Sequence, residues 1–182
     1  MPDATFCCPD LDSFCLLDRL GLSVTGQQIH DDHAVLACRV LEPDAWCHEC
    51  GARGAPRDTV LRQLAHVPLG WRPTILAVRV RRYRCTGCGH VWRQDISAAA
   101  APRAKMSRHA VLWALKSVVI DRLLIARVAA NLGTAWHTVN DAVLAAGQQL
   151  LIDDPGRLHG VRVSAWTNTA GVTRAGATSS SR

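Results

Sequence analysis

The stretch CHECGARGAPRDTVLRQLAHVPLGWRPTILAVRVRRYRCTGCG, residues 47–89, decides the fold. It opens and closes on the same unit, Cys-x-x-Cys-Gly: Cys47, Cys50 and Gly51 at one end, Cys85, Cys88 and Gly89 at the other. In such a turn two thiolates converge on one ion. The glycine that follows supplies a backbone conformation with positive φ that other residues adopt only at a cost. Four thiolates at about 2.3 Å make a closed tetrahedral site suited to structural Zn²⁺. Cys47, Cys50, Cys85 and Cys88 are therefore the candidate zinc ligands. A catalytic zinc would need an open position and a general base, and four cysteines leave no position open. His48 and His90 read as turn residues rather than ligands. An iron site of rubredoxin type uses the same four donors, which keeps a redox protein as a third reading; iron with colour against colourless zinc would separate the two.

The 34 residues between Cys50 and Cys85 read as a hairpin. Residues 58–67 and 73–85 are strand-like, and PLGWRP (68–73) places Pro and Gly where the turn needs them. The second strand ends in RVRRYRC. Period-two alternation puts Arg79, Arg81 and Tyr83 on one face, Arg82 and Arg84 on the other. Arginines with an interleaved tyrosine suit phosphate contact and stacking. An edge strand kept from aggregating by charge gives the same pattern.

Charge is unevenly spread. Residues 1–46 carry two arginines against eight acids, net −6, whereas residues 47–108 carry twelve basic residues against three acids, net +9. A compact segment of that sign is an electrostatic footprint for polyanions, although a solvated basic face that keeps a protein soluble looks alike. No apolar run is long enough to span a bilayer, and the acidic N-terminus lacks the basic region of a secretory signal. The expected location is cytoplasmic. Eight cysteines without an export signal favour metal binding over a disulfide framework. Cys15 and Cys38 read as small core residues.

Upstream of the knuckles, residues 10–20 have helical spacing (Leu11, Phe14, Leu17, Leu20) and end at Gly21, and residues 33–42 read as a strand. Downstream, residues 97–106 are alanine-rich and read as a linker. The period then becomes helical three times. Ser107 is a candidate N-cap for a first helix with Val111, Leu112, Leu115, Val118 and Val119 on one face. A second runs from Leu124 through Val128 to Leu132 and stops at Gly133. A third is capped by Thr134 and buries Val139, Val143, Leu144 and Leu150. The last two have the lengths of a helix-turn-helix, with Ala129 as the small residue, Gly133 in the turn and Val139 as the locking apolar residue. In that geometry the start of the second helix enters the major groove. Trp136, His137, Thr138 and Asn140 are then the candidate DNA-reading residues, since Asn can read adenine and Thr can bond phosphate or touch a thymine methyl. A helical hairpin that binds nothing, with Trp136 as a core anchor, fits the same letters.

FCLLDRLGL, CHECG, the hairpin RQLAHVPLGWRPTILAVRVRRYRCTGC, AAAAPRAK and ARVAANLGTAWHTVNDAVL together resemble the N-terminal portion of insertion-sequence transposases of the ISL-three family, over most of residues 6–163. The resemblance implies binding of double-stranded DNA at the terminal inverted repeats of a mobile element, with Cys47, Cys50, Cys85 and Cys88 matching the family's zinc ligands. It also implies a bacterial, nucleoid-associated location, and it leaves room for a homo-oligomer or for pairing with an intact transposase. Family members continue into an RNase H-like domain with three metal-binding acids. That domain opens with a strand like LHGVRV followed by a segment like Val-Asp-Glu-His. Here SAWTNTAG follows Val163, so no catalytic acid carries over, and the chain is expected to bind DNA without being an enzyme. The small-residue tail from Ser164 is expected to be a frameshifted reading of that missing domain, because Trp166-Thr167 read one frame over must encode Asp.

The expected fold class is α+β. The expected organisation is an N-terminal helix and strand segment (1–46), a zinc ribbon (47–96), a linker (97–106), a three-helix helix-turn-helix domain (107–152), the start of a truncated catalytic domain (153–163) and a disordered tail (164–182). A small zinc-containing transcription regulator of helix-turn-helix type is the alternative function.

Overall fold

The computed structural model describes residues 10–156, 159 and 160. The chain is α+β, built on a mixed sheet. Its spine is the long hairpin of β3 (Gly54–Leu69) and β4 (Arg72–Cys85), paired from Gly54↔Cys85 to Leu69↔Arg72 with register shifts between Pro56 and Asp58 and between His66 and Leu69. The turn is only Gly70 and Trp71, with φ of 57° and 68°. Two consecutive positive φ values match the right-handed twist of the strands that they join. Trp71 is fully exposed at this tip.

β1 (Leu22–Ile29) and β2 (Ala34–Val40) form a second hairpin, and β2 lies parallel to β4. The strand order is β1-β2-β4-β3, and the short β5 (Val91–Arg93) pairs with the far end of β4. One side of β4 is thus shared along its length by β2 (through Thr74–Arg79) and β5 (through Arg82–Arg84), and the other side is occupied by β3.

Three clusters of buried side chains hold this frame. The first packs Leu17, Leu20 and Leu22 onto Leu36, Leu64, Leu76, Val78 and Val80. The second joins three helices, α2 (Arg108–Val119), α3 (Ile125–Leu132) and α4 (Trp136–Gly147), around Met106, Leu115, Val128, Leu132, Val139 and Val143. The third is small, with Cys47, Tyr83, Cys85 and Trp92 buried at the knuckle end.

Several expectations need correction. Residues 10–20 form a four-residue helix α1 (Leu11–Phe14) and a 3₁₀ turn, Asp18–Leu20, rather than one helix. The chain breaks at Leu16, whose φ is 56°, and the Asp12 carboxylate accepts the N–H of Val24, pulling the segment toward β1. The proposed boundary at 46/47 runs through one sheet, since β1 and β2 share it with β3 and β4. Residues 97–106 are packed: Ala99 and Ala100 lie in the first core, and Arg62 donates to the carbonyls of Ala101 and Ala104. An alanine run that meets a sheet buries as readily as it links, because composition does not say what lies beneath it. In α2 the buried residues are Ala110, Ala114, Leu115 and Ser117, and Leu112 and Val119 face outward. Leu124, Leu144 and Leu150 are exposed as well. Ser107 does cap α2 through its Oγ, but Thr134 makes no cap; α4 starts from Ala135 with no side-chain cap bond. Most of the expected start of a catalytic domain, and all of the tail from Ser164, lie outside the described residues.

Candidate metal centre and basic face

The register Gly54↔Cys85 sets the two knuckles side by side. Cys47 and Cys50 lie just before β3, and Cys85 and Cys88 at the end of β4. Gly51 and Gly89, which close the two turns, have φ of 71° and 76°. The Cys47 N–H bonds to the Ala52 carbonyl and the Cys85 N–H to the His90 carbonyl, each folding a knuckle back on itself. The Sγ atoms of all four cysteines lie within 4.8 Å of one another, with Cys50–Cys85 at 3.4 Å and Cys47–Cys88 at 3.6 Å. A tetrahedral ion with ligands at 2.3 Å requires sulfur separations of roughly 3.8 Å, whereas a disulfide requires about 2.0 Å. The donor set therefore fits one metal ion and no disulfide.

Charge makes the same point. The N–H groups of Cys88 and Gly87 both donate to Cys85 Sγ at 3.3 Å. The bond from the Cys88 N–H is the largest effect; with the Cys50 thiol and the Gly87 N–H it brings the Cys85 thiol down to about 6 against the opposing effect of burial. At Cys88 the His90 N–H also works downward, but the neighbouring thiols of Cys50, Cys85 and Cys47 outweigh it and push Cys88 up to about 12. Four thiolates cannot share this volume without a cation to neutralise them.

Aromatic packing supports the centre. The rings of Tyr83 and Trp92 stack at 5.7 Å, Trp92 Nε1 donates to the Asp44 carbonyl at 2.8 Å, and Gly54 passes beneath the indole. His48 and His90 flank the same indole, and neither belongs to the ligand group. Tyr83, expected to stand between arginines for stacking, is instead 2% exposed and belongs to this core. Its hydroxyphenyl group is covered because β5 brings Trp92 opposite it in register.

The arginines of β4 separate into two kinds. Arg82 makes a two-pronged bond to the Asp58 carboxylate across the hairpin, and this pairing holds Asp58 below the usual carboxylate range. Arg79, Arg81 and Arg84 are exposed and make no ion pair among the described residues. Sequence reasoning missed Arg39, which the parallel register places directly beside Arg79. Arg39, Arg79 and Arg81 line a trough of about 410 Å³ on the open face of the sheet, with Thr25, Thr59 and Gln94 on its walls and no carboxylate. No local signal in the acidic segment 1–46 pointed to Arg39; only the strand pairing does.

The remaining candidates lie on α4. Trp136 is 53% exposed, which removes it from the core, and His137 is exposed too. Thr138 and Asn140 are half-buried, and Asn140 Nδ2 donates to Asp141 at 3.4 Å. Gly133, with φ of 59°, joins α3 to α4, and Val139 is fully buried against Val128 and Leu132. No described helix is long and apolar enough to cross a membrane. Compared with known proteins, the chain matches no family model, no curated protein and no solved structure.

Proposed function

We propose that the described residues form a zinc-bearing unit that binds double-stranded DNA, with α3 and α4 acting as a helix-turn-helix behind a zinc ribbon, as at the N-terminus of insertion-sequence transposases of the ISL-three family. The observation that carries the reading is the pairing of a four-cysteine cluster with an arginine face free of carboxylates on the same hairpin. Cys47, Cys50, Cys85 and Cys88 would hold the zinc, which ties the two knuckles together and fixes the end of β4. Arg79 and Arg81 would contact phosphates from that face; Arg84, exposed on the opposite face of β4 with Arg82, is not part of that contact. Arg82 drops out of the set because Asp58 already neutralises it.

Sequence preference would come from Trp136, His137 and Asn140 at the start of α4. The N–H groups of its first turn are free of side-chain caps and favour a phosphate. Residue by residue, no acid of this chain matches the family's catalytic motif, so the proposal contains no strand cleavage. The test is binding of the zinc-loaded chain to a labelled duplex carrying the inverted repeats that flank its coding region, against a scrambled duplex. Tighter binding to the repeats, with steep salt dependence, supports the proposal. Equal affinity for both duplexes at every salt concentration removes the recognition role, and iron in place of zinc in the purified protein turns the reading toward redox.

A further inference from the structure

We propose that Arg39, Arg79 and Arg81 form a single seat for a phosphate polyanion, assembled only when β2 docks parallel to β4, and that its ligand is the sugar-phosphate backbone of DNA. The identity of the ligand rests on the DNA-binding reading above; the seat itself rests on geometry.

Paired residues in neighbouring strands lie about 4.8 Å apart, and residues two apart on one strand about 6.6 Å. Arg39 and Arg79 are register partners, and Arg81 follows Arg79 by two. Three guanidinium groups thus emerge from one patch of the same sheet face. All three are exposed, and none meets a carboxylate among the described residues. Arg82, one residue away, shows what this fold does with an arginine that needs neutralising: it supplies Asp58 on the facing strand. Opposite Arg81 and Arg79 it supplies Thr59 and Leu61 instead. Three like charges left together repel one another, and an anion that bridges them relieves the repulsion. Guanidinium donors match phosphate oxygens in pairs.

The trough has the shape for a linear ligand. It continues along β4 into a second depression of about 490 Å³ that shares Pro43 and Arg81 with it and adds Arg53. At the other end of β4, Gly133 sits on Pro73. Arg79 lies six positions beyond Pro73, about 20 Å of strand. The turn before α4 and the arginine seat are therefore closer than the ~34 Å of one DNA turn, and one duplex can reach both.

The test has two arms, both on the zinc-loaded chain. The first measures binding to a labelled duplex over a salt series for the parent, Arg39→Gln, Arg39→Lys and the paired substitution D58N/R82Q. Arg39→Gln is expected to lose about tenfold in affinity and roughly one unit of salt slope. Arg39→Lys should keep the slope, and D58N/R82Q, which leaves net charge unchanged, should keep both. The second arm measures thermal stabilisation by tripolyphosphate, without DNA. The parent should gain several degrees and Arg39→Gln should not. Unchanged DNA affinity and slope in Arg39→Gln, or equal tripolyphosphate stabilisation of parent and variant, overturns the seat while leaving DNA binding by other residues standing. A parent that is stabilised by tripolyphosphate through Arg39 but does not bind duplex keeps the seat and removes the DNA reading. Each variant's zinc content and melting temperature without anion show that it is folded.

Discussion

His66 sits 1% exposed where three segments meet: the end of α1, the last part of β3 and the start of α2. Its Nε2 faces the Cys15 carbonyl at 3.3 Å, which can only accept, so Nε2 carries the proton. Nδ1 is then an acceptor, and the Ser107 hydroxyl donates to it at 2.8 Å while its oxygen accepts the Ala110 N–H. Every partner is matched only when the ring is neutral. Burial pushes His66 from 6.5 down to about 4. In the unfolded chain the ring takes up a proton near 6.5, and in the folded chain it resists until about 4. Between these values the unfolded state binds more protons, so stability falls as pH falls. The loss begins near pH 6.5 and is complete below about 4, on the order of 3 kcal/mol. Urea unfolding at pH 7, 5.5 and 4.5 should show it, and His66→Gln should show a flatter pH profile in that window. Parallel profiles would rule out His66 as the source. Gly54 gives a second residue-scale prediction. A Cβ there would come within 2.3 Å of the Trp92 indole, a ring held by stacking and by its own hydrogen bond. Gly54→Ala should cost roughly 1–3 kcal/mol and expose Trp92, read as a red-shifted fluorescence and an earlier melt.

Among the elements, the β3–β4 hairpin was legible in the sequence because three independent signals agree there: knuckles at both ends, β-branched alternation between them, and Gly at the turn. β1 was not legible. Its outer half is exposed on an edge, and a register shift between Val24 and Gly26 breaks the alternation that would mark it. The parallel contact of β2 with β4 leaves no local trace, which is why Arg39 escaped notice. Arg79 and Arg81 were read correctly as exposed, but Tyr83 was not read as buried, since its partner Trp92 comes from a separate strand. In the helices the spacing found the elements and the buried Leu115, Val128, Leu132, Val139 and Val143, but it also turned Leu112, Val119, Leu124, Leu144 and Leu150 inward, and these are exposed. Alanines cover α2 where larger residues were expected to: Ala110 and Ala114 are fully buried, whereas Leu112 and Val119 are exposed. The turn between α3 and α4 was legible through Gly133, and it carries an element-scale prediction. The residue has positive φ, and an added Cβ would meet Pro73 Cβ at 2.9 Å. Gly133→Ala should destabilise by about 1–2 kcal/mol from conformation alone, more if the helices cannot shift from β4. Circular dichroism at 222 nm during a melt would measure it. A variant as stable as the parent would mean that the turn relaxes out of the left-handed region.

At the scale of the whole molecule, β4 ties together parts with very unequal means of support. Near its start and middle it is buried in a core that includes Leu17, Leu36, Leu64, Leu76, Val78 and Val80. At its end, the buried cluster is two cysteines, one tyrosine and one tryptophan. That end cannot be held by apolar burial alone, since so few side chains offset the backbone entropy of two knuckles and a three-residue strand. A metal bound by the four thiols would supply the difference as folding free energy. The consequence is graded stability along one continuous strand. Removing the metal with a chelator, or breaking the set with Cys85→Ser, should unfasten residues 82–93 and leave the pairing of β2 with β4 intact. Amide hydrogen exchange reads this directly: protection should drop at least about tenfold in the knuckles and β5 while Leu36–Cys38 and Leu76–Val78 keep theirs. The helical core should also persist, because its contacts with the sheet lie at the opposite end, around Ala65 and Pro73. Loss of protection throughout the sheet would show that the ribbon end and the central sheet fold as one unit. No loss anywhere would show that the knuckles stand without metal, and with that the case for a structural ion would fall.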